Sequence, residues 1–125
     1  MQTWSRGDLN SLATFSKFLD SVAVNVSVWY PLNLYTDPGG VNATTAMLAA
    51  MPRFDSVFVP GGDGGEVLPA PQFLDVVSQL AALVRSYHPS ATAWVSAQQY
   101  DQDNVTELMA AMETPQVRRR RAAPR

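Results

Sequence analysis

No cysteine occurs among the 125 residues, and histidine occurs once, as His88. Disulfide frameworks and thiolate metal sites are thereby excluded. A transition-metal centre built on imidazoles lacks its second ligand. The one metal chemistry left open is a hard cation held by oxygen, with Asp63 and Glu66 as the acidic candidates. No cofactor is expected. No apolar run approaches the ~20 residues that a membrane span needs, so no membrane partner is expected. The opening residues Met1-Gln2-Thr3-Trp4-Ser5-Arg6-Gly7-Asp8 lack the apolar core of a signal peptide. Nothing in the sequence assigns a compartment.

Charge is also scarce. Charged residues make up 16% of the chain and apolar residues 46%, a globular balance. The length suffices for one domain with a modest core. The net charge of −2 is unevenly spread. Residues 1–117 carry 4 positive and 11 negative charges, a net of −7. So acidic a body is unsuited to a phosphate backbone, and no nucleic-acid partner is expected for it. The other five basic residues are Arg118, Arg119, Arg120, Arg121 and Arg125. They follow Pro115 without apolar periodicity. Residues 116–125 therefore read as a disordered basic tail, separate from a domain over residues 1–115.

Proline and glycine punctuate the rest into alternating elements. Residues 8–21 repeat Leu12, Phe15, Leu19 and Val22 at helical steps, and Ser5 and Asp8 have capping-box spacing. Residues 23–30, Ala-Val-Asn-Val-Ser-Val-Trp-Tyr, read as a strand ended by Pro31. Its alternation makes one face more polar, and Trp29 and Tyr30 should face opposite sides. Asp37-Pro38-Gly39-Gly40 is a turn, and Asn42 can cap a short helix through Met51. Residues 54–59 form a second strand closed by Pro60. The loop Gly61-Gly62-Asp63-Gly64-Gly65-Glu66 follows at once. Pro69-Ala70-Pro71 opens the strongest helix, striped by Phe73, Val76, Val77, Leu80, Leu83, Val84 and Tyr87. Pro89 ends it. Residues 91–96 form a third strand, whose Trp94 is expected to pack in the core. Asp101 caps a last helix carrying Val105, Leu108, Met109 and Met112.

The order is one helix, then strand–helix three times. Such alternation predicts an α/β fold with parallel strands joined by right-handed crossovers. Three units could form a small open sheet, or part of an eight-stranded barrel of ~250 residues. The expected architecture is the second, a partial barrel.

Ligands of parallel α/β folds bind at the carboxyl ends of the strands. Those ends carry Trp29, Tyr30 and Asn33; then residues 61–66; then Ser96, Gln98, Gln99, Tyr100 and Asp101. The opposite end carries the plainer set Arg53, His88 and Ser90. Aromatic faces can cover C–H surface while amides and carboxylates bind hydroxyls, so the set suits a polyhydroxylated ligand. Trp29, Tyr30, Gly61, Gly62, Ser96 and Gln98 are the candidate binding residues. Asp63 and Glu66 are the candidate catalytic pair, because two carboxylates flanking a glycosidic bond can supply its acid and its base or nucleophile. Asp63 equally suits a structural role, accepting backbone N–H bonds within the glycine turn.

The stretch Phe58-Val59-Pro60-Gly61-Gly62-Asp63-Gly64-Gly65, with Tyr87-His88-Pro89 and Trp94-Val95-Ser96-Ala97-Gln98, resembles a segment of uncharacterised bacterial proteins of the glycoside hydrolase superfamily. Trp29-Tyr30-Pro31 matches a further element of those proteins. The resemblance covers roughly residues 24–100. It implies a TIM barrel related to hexosaminidase-type catalytic domains, and carbohydrate chemistry. The family segment reads Gly-Gly-Asp-Pro-Gly-His, whereas Gly64 and Glu66 stand at its proline and histidine positions here.

Two rival readings remain. The chain could be a catalytically inactive truncated or interaction domain, self-associating through uncovered barrel edges. Alternatively, Gly61-Gly62-Asp63-Gly64 is similar to the loop of lipid and NAD kinases. There a threonine or serine usually follows, whereas Gly65 follows here and Glu66 would repel phosphate.

Overall fold

The computed structural model describes residues 4–62 and 67–113. Asp63, Glu66 and the basic tail lie outside the described residues. Helix α1 spans Arg6–Ser21 and strand β1 Ser27–Trp29. Helices α2 (Asn33–Thr36) and α3 (Gly40–Ala50) lead to β2 (Ser56–Pro60). Helix α4 (Ala70–Tyr87), β3 (Thr92–Ser96) and α5 (Gln102–Met112) complete the order. The fold is α/β: among the described residues there are five helices and one three-stranded sheet, in the order β1-β2-β3. Both strand pairs are parallel, as the alternation of elements predicts.

The first helix starts where its cap dictates. The Asp8 N–H donates to Ser5 Oγ at 3.1 Å, and the Ser5 N–H returns a bond to the Asp8 carboxylate at 3.1 Å. That closes the capping box foreseen from their spacing. The far end of α1 runs on into what reads as strand. Ala23 has φ 56°, in the left-handed region, and the Val24 N–H donates to Leu19 O at 2.9 Å. Residues 22–24 thus finish the helix, and β1 has only three residues. Helix α3 also starts before Asn42. Gly39, at φ 83°, is its N-cap and supplies no side-chain bond. A Cβ on Gly40 would sit 2.2 Å from the Leu34 carbonyl oxygen, so only glycine admits the close approach of α2 there.

The strand period of two sorts the sheet into two faces. Val28, Val57, Val59, Ala93 and Val95 belong to the core or pack against it, with Leu48, Phe73, Leu80 and Val84 from α3 and α4. The opposite face carries Ser27 and Trp29, then Ser56 and Phe58, then Thr92 and Trp94, in register across the three strands. Trp29 is 51% exposed and Trp94 61%. Among the described residues no helix is long and apolar enough to cross a membrane.

Candidate functional site at the carboxyl ends of the strands

Parallel pairing brings the ends of β2 and β3 level. Pro60 and Ser96 are the last partners in register. Beyond them the two loops touch through glycine. A Cβ on Gly61 would lie 2.6 Å from the Ser96 carbonyl oxygen and 3.3 Å from the Tyr100 ring. One on Gly62 would lie 3.0 Å from both the Gln98 carbonyl oxygen and the Gln99 Cβ. Both glycines are buried. At Gly61 the obstacle is backbone, which yields only if the two loops separate. Glycine is required here for close approach.

Tyr100 ties the returning chain down. Its phenol donates to Leu68 O at 2.9 Å, and its ring meets Phe73 edge-on with centroids 5.9 Å apart. Burial, with a smaller contribution from Glu107, pushes this phenol's pKa up, so it remains a hydrogen-bond donor through neutral pH. Gln99 holds φ 61°, an uncommon conformation for a residue with a side chain. The Gln98 N–H makes a long 3.4 Å bond to Ser96 Oγ, while the Gln98 side chain is exposed. Asp101 is engaged as the cap of α5, accepting the Asn104 N–H at 2.8 Å.

The candidate binding residues therefore divide. Gly61, Gly62, Ser96 and Gln98 gather at one rim. Trp29 stands on the open sheet face, level with Phe58 and Trp94. Tyr30 faces the other way and is 3% exposed. Its hydroxyl is hydrogen-bonded to Thr44 Oγ1, which donates in turn to Gly40 O at 2.8 Å. With its proton committed to Gly40, Thr44 accepts from Tyr30. Burial pushes the Tyr30 pKa up, opposed by the bond to Thr44.

Trp94 corrects the expectation of a core position. The apolar neighbours Ala93 and Val95 take the covered face, so alternation turns Trp94 outward. Phe58, its partner in the same row, is not among the residues that the sequence singles out. Its position two residues before Pro60 was the available signal.

The opposite end of the sheet is built for structure. Arg53 bonds to Asp20 at 3.0 Å, Asn25 at 2.7 Å and Asp55 at 2.8 Å, joining α1 to the two strand entries. His88 stacks on Phe54 with ring centroids 5.5 Å apart and bonds to Leu48 O at 3.0 Å. Arg85 donates to Ala91 O at 3.3 Å.

Comparison with protein-family models, curated proteins and solved structures finds no match to this chain.

Proposed function

We propose that this chain is a carbohydrate-active domain of glycoside-hydrolase type, consisting of β/α units of a partial (β/α)8 barrel with sugar-binding loops at the carboxyl ends of its strands. The observation that carries this reading is the packing of Gly61 and Gly62 against residues 96–99. It holds the start of the acidic loop beside an amide-bearing loop at the end of the sheet where parallel α/β folds bind ligands. Sequential strand order, with the core on one sheet face, is compatible with a barrel segment. In this reading Asp63 and Glu66 are the acid and base, and Gln98 and Ser96 bind sugar hydroxyls.

The test is hydrolysis of an aryl N-acetylglucosaminide by the purified chain. Asp63→Asn should lower the rate by about 100-fold or more, the usual reach of a positioned acid or base. Turnover that Asp63→Asn and Glu66→Gln leave unchanged would overturn the assignment.

One observation favours a second, non-catalytic reading. Phe15 and Phe18 on α1 are 60% and 58% exposed, three residues apart on one flank. An interaction domain would use that flank. It predicts no turnover and concentration-dependent association.

A further inference from the structure

The open sheet face differs from the loop rim in position and chemistry. Register places Ser27, Ser56 and Thr92 in one row across the strands, and Trp29, Phe58 and Trp94 in the next. Pro60 and Ser96 continue the same face at its carboxyl end. None of these eight residues is charged. Ser56 Oγ donates to Ser27 Oγ at 2.8 Å, linking two members of the hydroxyl row. Among the described residues neither tryptophan ring is paired with another aromatic ring.

Size decides between occupants. Strands lie about 4.8 Å apart and rise about 3.3 Å per residue. One strand of three residues and two of five give a face with a footprint of roughly 200 Å². A stable protein–protein interface buries about 800 Å² on each partner. This face alone is too small to hold a second protein. Two or three sugar rings match it. Charge agrees: with no ionic side chain, the face offers nothing to a phosphate, a carboxylate or an amine. It offers aromatic surface for apolar C–H faces, and hydroxyls beside it for exchange with ligand hydroxyls.

We propose that Trp29, Phe58 and Trp94 form a stacking platform for a short neutral oligosaccharide, flanked by the hydroxyls of Ser27, Ser56 and Thr92. The proposal rests on the carbohydrate reading above and on this face being open in the present three-stranded sheet, since in a closed barrel it would line the packed interior. The aromatic row lies two residues before the Pro60–Ser96 pair, or about 7 Å from the rim.

The test is calorimetric titration of the full chain with chitohexaose and with cellohexaose, alongside light scattering. Trp29→Ala and Trp94→Ala should each weaken binding about 10-fold or more, within the range of an aromatic contact. Trp94→Phe should retain binding within about threefold, which separates loss of the ring from loss of the fold. Binding that Gln98→Ala abolishes and both alanine variants leave intact overturns the platform while keeping the carbohydrate reading. Hydrolysis of the aryl glycoside without binding of either hexasaccharide also overturns the platform alone. Absence of both binding and hydrolysis overturns both proposals. A dimer that Trp94→Ala converts to monomer, with no sugar bound, overturns the platform in favour of a second copy of the chain.

Discussion

Arg53 and Asp55 clamp the entry to the sheet: Arg53 Nε donates to Asp55 Oδ2 at 2.8 Å, and the same oxygen accepts the Val26 N–H at 2.7 Å. One carboxylate thus fixes β1 to β2 before their ladder begins, and its arginine reaches on to Asp20 on α1. Replacing Asp55 by alanine leaves the Val26 N–H without its acceptor and Arg53 Nε without its carboxylate partner. The half-exposed setting moderates the cost. A loss of about 1–2 kcal/mol, read by urea unfolding, is expected.

The same pair sets a pH dependence. The hydrogen bond from Arg53 holds the Asp55 carboxyl below the usual carboxylate range, aided by the Val26 N–H. A lowered folded pKa means that the unfolded chain binds the proton first, so stability falls as pH falls. The contribution is complete well above about pH 3.9, the ordinary aspartate value, and is lost as pH drops through the lower folded pKa. Asp8 in the capping box behaves alike, its pKa lowered by the Ser5 hydroxyl. Melting temperatures of wild type and Asp55→Asn, measured from pH 7 to pH 2, should converge at the acid end. A gap that stays constant with pH would remove Asp55 from this role.

Tyr30 and Thr44 separate a core role from a ligand role. Tyr30→Phe deletes a buried hydroxyl but leaves Thr44 bonded to Gly40 O, so about 1 kcal/mol is expected. Thr44→Val strands the buried Tyr30 hydroxyl, while Gly40 O keeps its helical N–H donor, and should cost more, about 1–3 kcal/mol. Neither change should alter sugar affinity measured by calorimetry, because Tyr30 faces away from the open side of the sheet. Equal unfolding costs for the two variants would contradict this donor–acceptor order.

How much of this was legible depended on whether a signal was local. The Ser5–Asp8 box, the Asp101 cap and the prolines flanking α4 are local chemistry, and the structure follows them, whereas Pro60 is itself the last paired residue of β2 and does not close it from outside. The β-branched run at residues 23–30 also looked local. Yet Ala23 and Val24 finish α1, because the backbone bond to Leu19 O takes Val24 out of the sheet. The alternation of Trp29 and Tyr30 showed that they diverge, but not which face the helices cover. That is a tertiary choice. The same ambiguity holds at Trp94: flanked by Ala93 and Val95, it is apolar among apolar residues, and the period alone does not say which side is packed. The nearness of Gly61 and Gly62 to residues 96–100 depends on the register of β2 and β3, which no segment encodes by itself. Asp63 and Glu66, on which the catalytic reading depends, lie outside the described residues.

Gly61 tests the rim directly. Its missing Cβ would stand 2.6 Å from a backbone oxygen of Ser96, so Gly61→Ala must push the β2 and β3 loops apart. Overpacking of this kind costs about 1–3 kcal/mol. The displacement should also appear as faster amide hydrogen exchange at residues 98–100, where Tyr100 holds Leu68 and Phe73. Gly62→Ala meets its neighbours at 3.0 Å and beyond and should be milder. If Gly61→Ala leaves both stability and exchange unchanged, the two loops do not form one rim.

Helix α1 raises the separate question of association. Phe15 and Phe18, with half-exposed Val22 one turn on, make an apolar flank opposite the buried Ser16. Ser16 anchors the inner side, donating to Arg53 O at 2.7 Å and accepting the Arg53 N–H at 3.0 Å. The helix is therefore held without its phenylalanines. Surface changes away from such anchors usually move stability by no more than about 0.5 kcal/mol. A Phe15→Ser, Phe18→Ser double variant should match wild type in its unfolding midpoint. Its sedimentation should also be independent of concentration where wild type shows association. A variant that associates as wild type does would place any self-contact elsewhere. Among the described residues the sheet edges are a further exposed feature, where β1 and β3 each have a single hydrogen-bonded neighbour.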